Sequence, residues 1–285
     1  MKLVIVSGLS GSGKSVALHT LEDVGFYCID NLPVGLLGDF GRHITEIRIR
    51  PGERYAVGID ARSGSEDLSR FPTILDELEA RGIHSEILFL QADNDTLIKR
   101  FSETRRRHPL SGPSTSLAEA IAGEAALLAP ILARADLTID TTTTTLHQLR
   151  ELIRERLDRR VHGRLSLLFE SFGFKHGVPK DADFVFDVRC LPNPHWEPRL
   201  RPLTGRDADV AEYLQAQPSV ERMYEHIRGF IEEWLPAFER ESRSYLTVAI
   251  GCTGGQHRSV YLSERLSEHF RQREDNVSVR HRELT

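Results

Sequence analysis

The sequence predicts an α/β chain of two domains, a parallel-sheet domain followed by a second α/β domain with a phosphate-binding loop, and three observations carry that prediction. Short apolar runs alternate with helical patterns from residue 2 to about 158, the signature of a parallel sheet covered on both faces. One such run, Lys2–Ser7, leads directly into Gly8-Leu9-Ser10-Gly11-Ser12-Gly13-Lys14-Ser15. A second, Leu246–Gly251, leads into Cys252-Thr253-Gly254-Gly255-Gln256-His257-Arg258-Ser259 and another helical pattern. A chain of 285 residues is long enough for both domains, taken as 1–158 and 159–285.

The first loop is a complete G-x-x-x-x-G-K-[ST] between a strand and a helix, which makes the first domain a P-loop NTPase-type sheet. Its glycine turn points backbone N–H groups at a polyphosphate, Lys14 reaches the β- and γ-phosphates, and the Ser15 hydroxyl is the Mg²⁺ ligand. Val16, Leu18, Leu21 and Val24 continue as a helix whose N-terminal dipole also favours the anion.

Phe26–Asp30 reads as the second strand, turned by Asn31-Leu32-Pro33, and places Asp30 at a carboxyl end where ligands gather in open sheets. A turn aspartate is the equal alternative. Arg54–Ser63 is the third strand with its acid, Asp60, and Ile87–Ala92 the fourth, followed by Asp93. P-loop nucleotidases need a second acid near Mg²⁺, and Asp60 fits that catalytic role better than Asp93. Lys99–Pro109 carries five cations, with Arg105, Arg106 and Arg107 in a row, and reads as a lid of the kind that neutralises a transferring phosphoryl group; a solvated helix end is the alternative. An apolar helix over 117–133 contains Pro130, Leu137–Asp140 is a fifth strand, and Thr145 caps a helix through Leu157, with Asp158-Arg159-Arg160 near its end.

In the second half, Leu165–Ser171 and Phe184–Arg189 read as strands, 206–217 and 219–240 as helices. Prolines fix the loop Leu191–Trp196 and present His195, which either packs or binds a ligand. By the dipole argument, the loop Cys252–Ser259 holds an anion. Its C-x₅-R-S spacing is that of cysteine phosphatases, but no general-acid Asp loop accompanies it and Gly251 stands where such enzymes have His; the reading is phosphate binding without catalysis.

Composition excludes several classes. With 40% hydrophobic and 28% charged residues, the chain has no apolar stretch of membrane-spanning length, and its Met-Lys start lacks the longer core of a secretory signal, so a cytoplasmic location is expected. Cys28, Cys190 and Cys252 form neither a disulfide framework nor a C-x-x-C metal pair. The net charge of −5 requires any nucleic-acid contact to use a local basic patch.

Taken together, Gly8–Ser15, Asp30–Pro33, Asp60-Ala61-Arg62-Ser63, Phe169–Gly177, Leu191–Trp196 and Ile250–Gly255 resemble the RapZ/YvcJ family of nucleotide-binding proteins over nearly the whole chain. That resemblance implies weak ATP and GTP hydrolysis in the first domain, with Asp60, Ala61, Arg62 and Ser63 matching the segment assigned to GTP. It implies a second domain, similar to a sugar-kinase fold, that senses glucosamine-6-phosphate through His195, Thr253, Gly254 and Arg258. In its RNA-binding branch the family acts as a homo-oligomeric adaptor that hands a small RNA to ribonuclease E. Those members end in a lysine- and arginine-rich tail, whereas here Arg271, Arg273, Arg280 and Arg282 interleave with Glu274, Asp275 and Glu283; fewer cations mean weaker phosphate contacts to RNA. A small-molecule P-loop kinase, with 99–109 as its lid, is the competing reading.

Overall fold

The structure, a computed structural model, describes residues 2–46, 54–112, 114–158, 165–241 and 243–284. It divides into two compact units, Met1–Arg159 and Arg160–Thr285. Arg159 and Arg160, expected near a helix end, lie outside the described residues.

In the first unit, β1 (Lys2–Gly8), β2 (Phe26–Ile29), β3 (Arg54–Gly58), β4 (His84–Gln91) and β5 (Leu137–Asp140) form one sheet in the order β2-β3-β1-β4-β5, all parallel. Its helices are α1 (Lys14–Asp23), α2 (Leu37–Glu46), α3 (Ser65–Ser69), α4 (Phe71–Ala80), α5 (Asn94–Thr104), α6 (Leu117–Leu132) and α7 (Leu146–Ile153). Leu3, Val4, Ile5 and Val6 are all fully buried, as a central strand covered on both faces must be. The chain leaves β1 toward β2 and β3 and returns on the other side as β4. A crevice therefore opens at the carboxyl end of β1, where the glycine loop begins.

Local chemistry sets the helix starts. Asp93 caps α5 by accepting from Thr96 N at 2.7 Å, while Ser116 with Glu119 and Thr145 with Gln148 form reciprocal capping boxes on α6 and α7. Each such cap contributes about 1 kcal/mol.

The second unit has β6 (Ser166–Gly173), β7 (Phe184–Asp187), β8 (Tyr245–Cys252) and β9 (Val277–His281) in the parallel order β7-β8-β6-β9, with α8 (Ala208–Gln215), α9 (Pro218–Arg240) and α10 (Arg258–Arg271). Phe169, Val248, Ile250, Ile227, Leu262 and Phe270 are among its core residues. The interleaved charges noted in the sequence at 271–283 are partly built into the sheet. Residues 277–281 add an edge strand to β6, and their register sets Arg280 beside Glu170. Glu170 is fully buried, with Arg280 Nη1 at 3.1 Å from one of its oxygens and Arg282 Nη1 at 3.8 Å from the other. No helix among the described residues is long and apolar enough to cross a membrane.

Candidate functional site

The first glycine loop is shaped by close approach. At Gly8, φ is +139° and a Cβ would strike the Leu90 carbonyl oxygen; at Gly13, φ is +109° and a Cβ would lie 2.7 Å from Leu149 Cδ2. Only glycine meets both demands. Leu9 N donates to Leu90 O and Ser12 N to Leu9 O, each at 3.0 Å, so the turn is fixed to β4 and to itself. Leu9's side chain is buried in the core, leaving its backbone to the loop. Ser10 gives both its N–H and its hydroxyl to Glu124 of α6, and Lys14 Nζ donates to Gly8 O at 2.6 Å.

Gly13 offers α1 no side-chain cap, and the first turn of α1 carries no acid. The amides at this helix start are thus open to an external anion. Burial lowers the Lys14 pKa, although Glu124, Asp60 and Asp30 each act in the opposite direction. An incoming polyphosphate would restore the favoured charge.

Alongside Gly11, Ser12 and Gly13 lies a cavity of about 490 Å³ between the end of α5 and the Thr141–Leu149 segment. Phe101, Leu146 and Leu149 give it apolar walls; Thr141, Thr144, Thr145 and Arg106 give it polar ones. The sequence reading counts Arg100 only as one cation of the 99–109 segment and does not select Thr141. Arg100 Nη1 donates to Gly11 O at 2.9 Å and its Nη2 to Thr141 O at 2.6 Å, while Thr141 Oγ1 donates to Ser12 O at 2.9 Å. The arginine cluster was the one signal that could have flagged Arg100. Of the segment 99–109, expected to be a lid, residues to 104 belong to α5, Arg100 straps the loop and His108 is buried, leaving Arg105–Arg107 exposed.

Asp60 caps the turn Ala61–Ser63 and takes Arg62 in a fork, with Nε at 2.8 Å and Nη2 at 2.6 Å from Oδ2. That pairing raises the Arg62 pKa further. Ala61 is buried, and Ser63 Oγ accepts from Val34 N at 3.3 Å. Among the described residues no three His, Cys, Asp or Glu side chains gather as a metal cage. The donors that fit Mg²⁺ are oxygens: the exposed Ser15 hydroxyl and the Asp60 carboxylate, the sparse protein set Mg²⁺ takes when phosphates and water complete its shell.

In the second unit the loop from β8 to α10 holds its own nucleus. Cys252 Sγ lies 3.1 Å from Ser259 Oγ and accepts from Gly255 N at 3.2 Å. Burial pushes the thiol pKa up, but these hydrogen bonds and the Arg258 charge outweigh it and leave it lowered. Arg258, 4% exposed, spends Nη1 on Arg189 O and Leu191 O at 2.8 and 2.9 Å and Nη2 on Thr253 Oγ1 at 3.3 Å. Its Nε is buried with no hydrogen-bond partner among the described residues. Thr253 is exposed and Gly254 half-buried, so the loop opens there.

His195 is exposed, its ring 6.3 Å from that of His257. Burial lowers the His257 pKa, and its Nε2 donates to Leu200 O at 3.2 Å. Lys175, which sequence reasoning did not select, donates its N–H to Thr253 O at 3.3 Å. On the far side of Gly255 stands Glu283, whose carboxyl pKa is raised by burial.

Residues 1–160 match the RapZ-like N-terminal domain, and residues 165–285 match the RapZ C-terminal domain. A nucleotide-binding protein of Alkalilimnicola ehrlichii is 66% identical over 284 residues, covering 100% of this chain and 98% of its own length. One from Thioalkalivibrio sulfidiphilus is 60% identical over 286 residues, covering 100% of both. Among solved structures, shikimate kinase from Bacteroides thetaiotaomicron aligns at 14% identity and TM-score 0.33, over 53% of this chain and 98% of that one, a likeness too remote to carry an activity across.

Proposed function

The chain belongs to the RapZ family, and from that membership and the geometry of its two loops we propose that the first unit binds ATP or GTP with Mg²⁺ and hydrolyses it slowly, while the second binds a sugar phosphate, glucosamine-6-phosphate being the ligand expected from the family. The observation that supports the first half is the cavity beside Gly11–Gly13, which places an apolar-walled chamber for a base next to open helix amides for phosphates. In this reading the α1 amides and Lys14 hold the phosphate chain, with Lys14 exchanging Gly8 O for ligand oxygens. Ser15 and Asp60 would hold Mg²⁺, which when bound neutralises charge on the β- and γ-phosphate oxygens. Asp60 is already engaged by Arg62, and the need to displace that fork accounts for slow turnover.

For the second half the supporting observation is Arg258 Nε, a buried donor that a phosphate oxygen at the loop mouth would satisfy. From the family, His195, Thr253 and Gly254 would meet the same ligand, and the His195 ring stands 6.3 Å from that of His257, the residue before Arg258. Calorimetric titration tests both halves. Lys14→Ala should weaken MgATP and MgGTP binding by tenfold or more and abolish phosphate release, and Arg258→Ala should do the same for glucosamine-6-phosphate without touching nucleotide. Wild-type affinity in either variant would refute the corresponding half. Transfer of the γ-phosphoryl group to a sugar or nucleoside, in place of release to water, would instead establish a kinase.

A further inference from the structure

Glu124 is a charged residue in the middle of an otherwise apolar helix face, with Ala120, Ile121 and Leu128 buried around it. It is 0% exposed. A carboxylate in such a place is costly unless donors surround it. Here three do. Ser10 Oγ donates to Oε1 at 2.6 Å and Ser10 N to Oε2 at 2.8 Å, while His108 Nε2 lies 3.1 Å from Oε2. Leu110 N donates to His108 Nδ1 at 3.1 Å, so Nδ1 is the acceptor nitrogen and Nε2 carries the hydrogen given to Glu124.

One side chain therefore joins the glycine loop to the chain just beyond the three exposed arginines. Arg105 breaks α5 at φ +52°, and His108 re-anchors the segment, its ring 5.2 Å from that of Phe101. Beyond the strap at Arg100, residues 101–104 complete α5, and only 105–107 lie between the end of that helix and the anchor at His108. Glu124 also acts electrostatically on Lys14, so its charge is felt at the loop's cation. A polyphosphate entering the loop places several negative charges near a carboxylate that cannot reach water, and repulsion in that low-dielectric setting is far stronger than in solvent.

We propose that Glu124 is a positioning residue that reads polyphosphate occupancy of the glycine loop through Ser10 and passes it through His108 to the 105–107 segment, turning the three arginines onto the bound phosphates. This rests on the nucleotide-binding reading of the first unit. In the empty protein Glu124 holds both partners. In the occupied one its hold on Ser10 and His108 weakens, and the arginines exchange solvent for phosphate oxygens.

The test is limited trypsin cleavage at Arg105–Arg107, followed by mass spectrometry, with and without the Mg²⁺ complex of the imido analogue of ATP. Calorimetry measures binding separately. In the wild type, analogue should slow cleavage at these bonds at least threefold. His108→Ala cuts the link on the segment side only, and should still bind analogue, more weakly than wild type for want of the arginine contacts, while its cleavage rate no longer responds at saturating analogue. Glu124→Gln, whose amide N–H₂ must face one of three donors, should lose the response and also bind more weakly. A merely structural role would raise cleavage generally and preserve the ratio with and without analogue. Wild type that binds analogue with an unchanged cleavage ratio, or His108→Ala that keeps the wild-type ratio, overturns the proposal alone. Absence of any nucleotide binding overturns the underlying reading and the proposal with it.

Discussion

Glu170→Gln tests whether the C-terminal strand is held by charge. Glu170 is fully buried, and the side chains of its partners Arg280 and Arg282 are only 11% and 4% exposed. Removing one member of a buried ion pair costs about 3–5 kcal/mol because the remaining charge is stranded. β9 is an edge strand, so its arginines can partly swing to water, and a loss just below that range, about 2–3 kcal/mol, is expected. Both tryptophans, Trp196 and Trp234, lie in the second unit, so their fluorescence in urea reports that unit's unfolding without interference from the first. The triple replacement Glu170→Leu, Arg280→Met, Arg282→Met removes all three charges together and should recover most of the loss, since apolar residues of similar volume replace buried ions at little cost. A loss under about 0.5 kcal/mol in Glu170→Gln, or a triple variant no better than the single, would refute the view that this carboxylate pins the strand.

Gly8→Ala combines an unfavourable φ with a collision against Leu90 O and should cost about 3 kcal/mol, read as a lowered melting transition of the first unit. Arg258→Lys keeps the charge but cannot reproduce the donation to Arg189 O and Leu191 O; about 2 kcal/mol of stability should be lost in urea unfolding, along with at least tenfold in sugar-phosphate affinity by titration. The second unit should also weaken on acidification in two stages. The His257 pKa lies below 6.5 in the folded state, so the unfolded chain takes that proton first, and stability falls as pH drops below about 6.5. Glu264 is held at about 2 against 4.5, chiefly by the His281 hydrogen bond and then by Arg206, so its contribution is present above 4.5 and is lost as pH falls toward 2. His257→Asn should abolish the upper stage of the tryptophan-monitored urea midpoint, and persistence of that stage would refute the assignment.

The features legible in the sequence are those written in contiguous residues. β1 and β8 stand out because an apolar run, a glycine turn and a helical pattern follow one another without interruption, and the cap at Thr145 is visible because Gln148 stands three residues on. Pattern favours Asp60 over Asp93 only narrowly, since both follow buried strands that flank β1. In the structure Asp93 is spent on capping α5, while Asp60 faces Arg62 and the charge of Lys14. What escaped was long-range. Arg100 meets Thr141 across 41 positions and Ser10 meets Glu124 across 114. Glu124 is hidden in the sequence because it reads, like Glu119 of the same apolar helix, as a tolerated surface residue. β9 escaped for a related reason: Arg280 and Arg282 look like a solvated tail until Glu170, more than a hundred residues earlier, is set beside them.

The two loops share a strand-turn-helix plan, yet each uses the protein's own groups to hold its shape before any ligand arrives. In the first, Glu124 takes the Ser10 amide, Gly8 O takes Lys14 and Arg100 takes the Gly11 carbonyl; in the second, the Cys252 sulfur takes the Gly255 amide and two carbonyls take Arg258. A loop fixed this way loses little conformational entropy on binding, so more of the interaction energy appears as affinity. The groups left over define what each can recognise: uncapped helix amides in a crevice beside a roomy chamber suit an extended anion with a bulky attachment, whereas one buried guanidinium N–H beneath an exposed threonine suits a compact phosphate. Lys14 is held by Gly8 O and Asp60 by Arg62, so under the proposed function binding at the first loop would be an exchange of partners. An exchange of that kind favours a site that responds to occupancy over one built for rapid turnover.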